Sequence, residues 1–400
     1  MSDNEKKLDE VIEEPKEEKK KKKKLLVILL PILAVFLALV IAVVAFVGHK
    51  FSLIDFDDEE STTINPTQEF VDSAEENIDF AEMDDATGND FKEILKNWAT
   101  NGGEKMSNRD IINVLLIGSD ASAEEAGRAN ITEKGNTDVM MLVSINQVDK
   151  KIKLVSFMRD SYTYMDQFDR YAKLNAACAN GGPAYLVETI ENDYKIEIDG
   201  YAMVDFDSFT QVIDVLGGVN VDVPEYVANH LNNGVLKKNK IDSGKDILLD
   251  GEQALAFSRV RKTDANGDIS RVARQRQVVN ALIEKAKSAT LAEINEVADV
   301  MLANVRTNIS KKSIISYASK AITEGWANYE ITELTLPTPD TRYGYSSRST
   351  AWIWVVDYPL AAQKLQLELY GDTNIKLEEE GRKTAITVIG GYVSKKTTDN

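Results

Sequence analysis

This sequence is short of sulfur, imidazole and positive charge. It has one cysteine, Cys178, among 400 residues, so no intrachain disulfide can form and the core alone must hold the fold. It has two histidines, His49 and His230. Neither falls in any of the motifs below, so the chemistry is not expected to need imidazole. Lys and Arg number 47 against 65 Asp and Glu, a formal net charge of −18. A chain this acidic, without a broad basic stripe, is not a nucleic-acid binder. No internal repeat is present. Long uncharged apolar runs are missing too, with one exception.

That exception is Leu25–Val47, "LLVILLPILAVFLALVIAVVAFV". A helix of that length rises ~34 Å, against a hydrocarbon core of ~30 Å. The run is too long for the apolar part of a cleaved signal, and no small-residue cleavage site follows it closely. Lys19 to Lys24 abut its first residue, and lysine beside a first span marks the cytoplasmic side. The expected layout is a cytoplasmic lysine-rich tail at 1–24, a transmembrane signal-anchor helix at 25–47 and an extracellular acidic stalk at 48–106. A folded domain at 107–372 and a C-terminal tail at 373–400 follow. The protein is then single-pass in the plasma membrane, with its folded part outside the cell.

Within the stalk, "DFKEILKNWATNGG" reads as a short helix stopped by Gly102 and Gly103. Organised structure is expected from Ile111. "IINVLLIGSD", "DVMMLVSIN" and "KIKLVSFMRD" are strand-like runs, the last two joined by the polar connection "QVDKK". "GPAYLVETIENDY" and "FDSFTQVIDVLGG" have apolar residues at helical spacing, and "VNVDVP" alternates as a strand does. "LDGEQALAFSR" is a short helix with Asp250 as its N-cap. "ISRVARQRQVVNALIEKAK" is a longer one burying Val272, Val279, Leu282 and Ile283. Helices near 292–304 and 312–323, the strand "YEITELTLP" and the helix "DYPLAAQKLQLEL" follow; "TAITVIGGYV" in the tail is apolar enough for a strand. Mixed strands and helices predict one layered α/β domain.

Against the acidic background, "FSRVRKTDANGDISRVARQRQ" gathers Arg259, Arg261, Arg271, Arg274 and Arg276. In an extended chain Arg259 and Arg261 share a side. Arg271, Arg274 and Gln275 share a helix face. The turn residues between them let the segment fold back and aim several guanidinium groups at one place, a pattern suited to phosphate oxygens. For Arg274 and Arg276 a surface ion pair is an equal reading. A local cationic pocket in an acidic protein suits a small dense anion such as a diphosphate. Asp120 and Asp138, at strand ends, are natural Mg²⁺ ligands beside phosphate, and Arg159 is a further phosphate candidate. Taken singly, each aspartate is more often a turn former or cap.

In order along the chain, "NVLLIGSD", "TDVMMLVSIN", "LVSFMRDSY", "KLNAACANGG", "VDFDSFTQVIDVLGGVNVDVP", "LDGEQALAFSRVR" and "GDISRVARQRQVV" resemble the LytR-CpsA-Psr family of bacterial envelope proteins. The resemblance covers about Asn113 to Val279. It implies a single three-layer α/β/α domain with a mixed central sheet and a hydrophobic slot for a polyprenyl tail. It also implies a phosphotransferase that moves a glycopolymer from a polyprenyl diphosphate carrier to a peptidoglycan hydroxyl at the outer face of the plasma membrane, with Mg²⁺ as cofactor. Carried over by position, the site residues are Asp120, Asp138, Arg159, Lys173, Arg259, Arg261, Asp268, Arg271 and Gln275. Asp120 and Asp138 hold the metal, and one of them takes the hydroxyl proton. Two positions depart from the pattern: Asn136 stands where the family commonly has arginine, with Arg128 in the same loop, and Met158 where it usually has proline.

A non-catalytic protein of the same fold that binds polyprenyl phosphate or glycan is the alternative. A transcription regulator conflicts with the expected topology. Wall teichoic acid, capsule, a rhamnose-rich polysaccharide and protein glycosylation all stay open as the destination of the transfer.

Overall fold

The structure, a computed structural model, describes residues 55–56, 85–119, 137–261, 267–288, 305–346, 352–377 and 382–398, with a few single residues between. All belong to one compact unit, Ile54–Asn400. The expected span at 25–47, its lysine flank, and the loop with Asp120, Arg128 and Asn136 lie outside the described residues, as does part of the helix expected near 292–304. Among the described residues no helix is long and apolar enough to cross a membrane.

In chain order, β1 (Asp55–Phe56) precedes α1 (Asp85–Asn101), β2 (Ile111–Ser119), β3 (Thr137–Asn146) and β4 (Lys151–Phe157). A small hairpin, β5 (Tyr162–Met165) and β6 (Arg170–Lys173), leads into α2 (Asn175–Tyr194). Next come β7 (Gly200–Asp205), α3 (Phe206–Val215), β8 (Val219–Val223), α4 (Glu225–Gly234), β9 (Gly244–Leu249), α5 (Gly251–Arg259) and α6 (Asp268–Ser288). The remaining elements are β10 (Val305–Thr307), α7 (Lys311–Thr323), β11 (Glu330–Leu336), the ribbon β12 (Arg342–Tyr345) and β13 (Ile353–Val356), α8 (Tyr358–Tyr370) and α9 (Ala385–Thr398).

Seven strands form one sheet in the order β1-β10-β7-β2-β3-β4-β11. β2–β3 and β3–β4 are antiparallel, whereas β2–β7 and β4–β11 are parallel. The mixed sheet expected from the sequence is present. Alternation along β2 sends side chains to two faces. Leu115 and Ile117 join the larger core with α1, α2 and α8. Ile112 and Val114 pack on the other face against Tyr317 of α7, Trp326 and Tyr329. Helices therefore cover both faces of the sheet. A second core gathers Ile213, Val219, Val221, Leu249, Phe257 and Val278 from α3, β8, β9, α5 and α6.

Four expectations need correction. The stalk assigned to 48–106 includes α1, whose Phe91, Leu95 and Ala99 are buried in the main core. The tail assigned to 373–400 includes α9, whose Ala385 and Ile389 join the same core. The compact unit thus extends past 107–372 at both ends, because these helices cover apolar surface that would otherwise face water. "TAITVIGGYV" is helix, not strand. On α6, Val272 and Val278 are fully buried while Val279, Leu282 and Ile283 are half-buried, since Arg271, Arg274 and Gln275 take up much of the inner side.

Candidate active site

Four strands, β2, β7, β4 and β11, finish at one end of the sheet. Ser119, the last residue of β2, pairs with Asp205 at the end of β7 and with Thr137 at the start of β3. β4 runs antiparallel to β3 and finishes at Phe157, close to the same edge. In open α/β sheets the carboxyl ends of strands are where ligands bind. Asp138 is the second residue of β3 and falls in a register shift, since Gly118 pairs with Val139 but Ser119 with Thr137. Such a bulge re-aims the chain beside a site. It also presses β3 onto β2: a Cβ on Gly118 would meet Val139 Cβ at 2.9 Å, so glycine is needed there.

β4 is followed by the turn Met158–Ser161, which its neighbours hold in place through the main chain. The Leu174 amide donates to Ser161 O at 2.8 Å, the Asn175 amide to Arg159 O at 3.2 Å, and the Trp354 amide to Asp160 O at 2.8 Å. Met158, where the family usually has proline, is fully buried and its Sδ accepts from Arg342 Nη1 at 3.3 Å. The Arg342 guanidinium in turn stacks 4.6 Å from the Trp354 ring centre. The turn is thereby pinned between α2 and the β12–β13 ribbon.

What that turn presents is a buried carboxylate. Asp160 is 3 % exposed. Lys173 Nζ lies 3.0 Å from Asp160 Oδ1, Arg159 Nε 3.8 Å from the same atom, and Arg261 Nη2 3.7 Å from Oδ2. Three cations on one acid leave positive charge in excess. Lys173 is buried, whereas the Arg261 side chain keeps 42 % of its exposure and is open to solvent. Sequence reasoning missed Asp160. The only local signal was an aspartate directly after the candidate Arg159, which reads as a turn former on its own.

α5 starts at a capping box in which Asp250 accepts from the Gln253 amide and Gln253 from the Asp250 amide. It ends at Arg259, so Arg259 and Arg261 do not share the side of an extended strand as expected. Arg259 is the last helical residue, and its guanidinium stacks 4.6 Å from the ring of Phe206, at the start of α3. Val260 turns the chain out of the helix, and its carbonyl accepts from Arg274 Nη2 at 2.6 Å. Buried Arg274 therefore fixes the backbone between the two site arginines. Arg271, Arg274 and Gln275 do share the inner side of α6, each 6 % exposed or less. Asp268 is the first residue of α6; its side chain lies outside the described residues, as does that of Asp138. Arg276 points elsewhere, with Nε 2.8 Å from Glu333 Oε2 on β11.

Beside the arginines lies an apolar groove of about 470 Å³ between α4 and α5, lined by Leu231, Val235, Leu236, Leu255, Arg259 and Arg261 among others. His230, set aside by the sequence reading, lines it too. Cys178 is buried, and that burial pushes its thiol up to about 11, which leaves it inert at neutral pH. Among the described residues no cluster of three or more His, Cys, Asp or Glu side chains could hold a metal.

The model described as "LytR_cpsA_psr family" matches residues 73–366. The polyisoprenyl-teichoic acid–peptidoglycan teichoic acid transferase TagV of Bacillus subtilis (strain 168) is 36% identical over 215 residues, 53% of this chain and 54% of that protein. The transferase of the same description named TagU, from Bacillus anthracis (strain CDC 684 / NRRL 3495), is 33% identical over 221 residues, 53% of this chain and 65% of that one. The alignments thus span between half and two thirds of these relatives' length. A solved structure of TagT bound to LI-WTA superposes with a TM-score of 0.53 at 27% identity, covering 67% of this chain and 93% of that one.

Proposed function

Because this chain belongs to the LytR_cpsA_psr family, we propose that it is a glycopolymer phosphotransferase, moving a polymer of the teichoic acid type from a polyprenyl diphosphate carrier to a peptidoglycan hydroxyl. The observation that carries this reading is the gathering of Arg159, Lys173 and Arg261 on Asp160 at the carboxyl end of the sheet, with Arg259 and Arg261 also edging an apolar groove. A diphosphate with an isoprenoid on one side needs that pairing of cationic and apolar surface. The names of TagV and TagU agree with it.

Arg159, Arg259 and Arg261 bind the diphosphate oxygens, and Lys173 adds to the positive field. The acceptor hydroxyl oxygen attacks the glycan-side phosphorus. A new P–O bond forms, the bond to the bridging oxygen breaks, and polyprenyl phosphate leaves with the electron pair. Guanidinium groups set before the reaction stabilise the charge that grows on the leaving phosphate. Asp120 or Asp138 takes the hydroxyl proton. Arg274 keeps the Arg259–Arg261 backbone in place through Val260 O.

Mg²⁺ would suit this end of the sheet. The register sets Thr137, just before Asp138, opposite Ser119, just before Asp120. Carboxylates together with phosphate oxygens are the hard donors that Mg²⁺ takes. Asp120 and Asp138 would hold it, and it would supply further neutralisation of the diphosphate. The membrane span at 25–47, with the catalytic unit outside the cell, belongs to the same proposal, since the carrier lipid is itself membrane-bound.

The test is transfer by the detergent-solubilised full chain from a polyprenyl diphosphate glycan to a peptidoglycan oligosaccharide. Polyprenyl phosphate release that needs a divalent metal and stops in EDTA is the expected result. Full turnover in excess chelator would remove the metal from the proposal. Tight lipid binding without release would favour the non-catalytic alternative.

A further inference from the structure

A second hollow adjoins the apolar groove. It also measures about 470 Å³ and is lined by Tyr226, Asn229, His230, Asn233, Gly234 and Thr263. His230 lines both, so the two hollows share a wall. Their linings differ sharply. One is largely aliphatic, with two arginines, Glu252 and the shared His230. The other has an aromatic ring, two carboxamides, an imidazole and a hydroxyl.

Tyr226, Asn229, His230 and Asn233 recur at helical spacing along α4, so they line one face. All four are exposed. The opposite side of α4 carries the apolar load, with Val227, Ala228 and Leu231 buried. A third amide on the helix, Asn232, does structural work: it donates to Ile241 O at 2.8 Å and accepts from the Ile241 amide at 2.9 Å. Asn229 and Asn233 face the hollow instead. Thr263, from the segment that follows Arg261, borders this shallow, open hollow. Its Oγ1 is buried and has no hydrogen-bond partner among the described residues. A buried hydroxyl without a partner is costly unless a ligand or water meets it.

From this arrangement we infer that the α4 hollow is a sugar-ring subsite of the transfer reaction. Amides offer donor and acceptor together, which matches vicinal hydroxyl and acetamido groups, and an exposed tyrosine offers a flat face to a pyranose ring. Among the described residues the hollow has no aliphatic lining to take lipid and no lysine or arginine to take phosphate. Its position follows the same logic. Arg259 and Arg261 line the adjoining groove, which meets the α4 hollow at His230, so an anion held in the groove lies on the far side of His230 from a ring on α4. That ring belongs either to the glycan on the carrier or to the acceptor strand. The inference rests on the proposed transferase reading and deepens it.

Three probes on the detergent-solubilised full chain separate the cases: bare polyprenyl diphosphate, the same lipid bearing an N-acetylhexosamine disaccharide, and a β-1,4-linked N-acetylglucosamine tetramer. The variants are Tyr226→Ala, Thr263→Val and the pair Asn229→Ala with Asn233→Ala. All alter surface or rim positions, where substitution seldom unfolds a protein. The double variant is expected to weaken one sugar-bearing probe by roughly tenfold, the effect of about two lost neutral hydrogen bonds. Bare lipid binding should stay as in the wild type. Loss with the glycosylated lipid assigns the ring to the donor, and loss with the tetramer assigns it to the acceptor. Unchanged affinity for both sugar probes would overturn the subsite, as would an equal loss for bare lipid. Tetramer binding that depends on Asn229 and Asn233 in a chain with no transfer would keep the subsite and refute the transferase. Transfer that ignores all three variants would do the reverse.

Discussion

Asp160 and Asp193 are both buried carboxylates, at 3 % and 1 % exposure, yet their surroundings give them different work. Asp160 has cations on both oxygens: Lys173, Arg159 and Arg261. Asp193, near the end of α2, has hydroxyl partners and feels the Lys195 charge without an ion-pair contact among the described residues. Thr163 Oγ1 donates to it at 2.8 Å. Lys195, two residues on, turns its ammonium to the Ala99 carbonyl at 3.2 Å and lies 5.1 Å from the Trp98 ring centre. Burial pushes the Asp193 carboxyl up to about 8, so near neutrality it is largely protonated and serves as a hydrogen-bonding element of the core. Asp160 acts as a counter-ion that gathers three cations at one point. Burial alone therefore does not mark a functional acid; the charge of its partners does.

The sharpest way to break this contrast is Asp160→Asn. It keeps the size of the side chain and removes the charge shared by three cations. Breaking a buried pair from one side costs about 3 kcal/mol, so the unfolding free energy should drop by that order and transfer should be lost with it. Denaturant titration beside a turnover assay checks both. Stability unchanged from the wild type would show that the cations need no anchor.

Arg261→Ala should divide the two effects. Arg261 is partly exposed and reaches Asp160 only at 3.7 Å, so its loss should barely move stability. A charge-assisted contact to phosphate is worth about 2 kcal/mol, which predicts a fall of roughly thirtyfold in kcat/KM. Turnover at the wild-type level would remove Arg261 from the site.

Much of this arrangement could be read along the chain because its signals are local. The hairpin between β3 and β4 follows from "QVDKK", the start of α5 from Asp250, and the alternation of β8 from "VNVDVP". The arginine pair stood out against acidic surroundings. What stayed hidden depends on tertiary contact. Asp160 is one aspartate in a turn until Lys173 and Arg261 arrive from distant segments. α1 looked like stalk because its acidic residues mask Phe91, Leu95 and Ala99, which recur every four residues and face the core. α9 looked like strand because Thr, Ile and Val dominate it; packing of Ala385 and Ile389, also four apart, overrides that propensity. His230 carried no motif, and only the fold sets it between two hollows.

Asp193 sharpens the contrast through pH. Its folded value, about 8, lies above the unfolded value of about 3.9. Between the two the native state holds a proton that the unfolded chain has released, so stability is complete at low pH and declines as pH rises toward 8. Lys195, pushed down to about 8 by burial, acts in the window above that, where stability recovers as pH rises toward the unfolded lysine value. Asp193→Asn imitates the protonated acid. It should flatten the slope between pH 6 and 7, removing roughly 1 kcal/mol of pH dependence, while leaving phosphate binding alone. A slope identical to the wild type, measured by denaturant midpoint, would mean that Asp193 is ionised in the native state.

The smallest effect is expected at Arg276, which tests whether membership of the arginine segment is enough for a role in the site. Five arginines stand within twenty-one residues there, and sequence alone cannot rank them. The fold does. Arg274 donates to the carbonyl between Arg259 and Arg261, so Arg274→Ala should disturb turnover through the backbone it holds. Arg276 is two residues further on and therefore faces another side of α6. It pairs with Glu333 at 2.8 Å and also reaches the Thr335 hydroxyl, both on β11. The Arg276 and Glu333 side chains are 15 % and 35 % exposed, and a pair this close to the surface contributes about 1 kcal/mol or less. Arg276→Ala should lower stability by no more than that and leave kcat/KM within about twofold of the wild type. A large loss of turnover in this variant, with stability intact, would place the diphosphate on the β11 side of α6 and move the site away from Asp160.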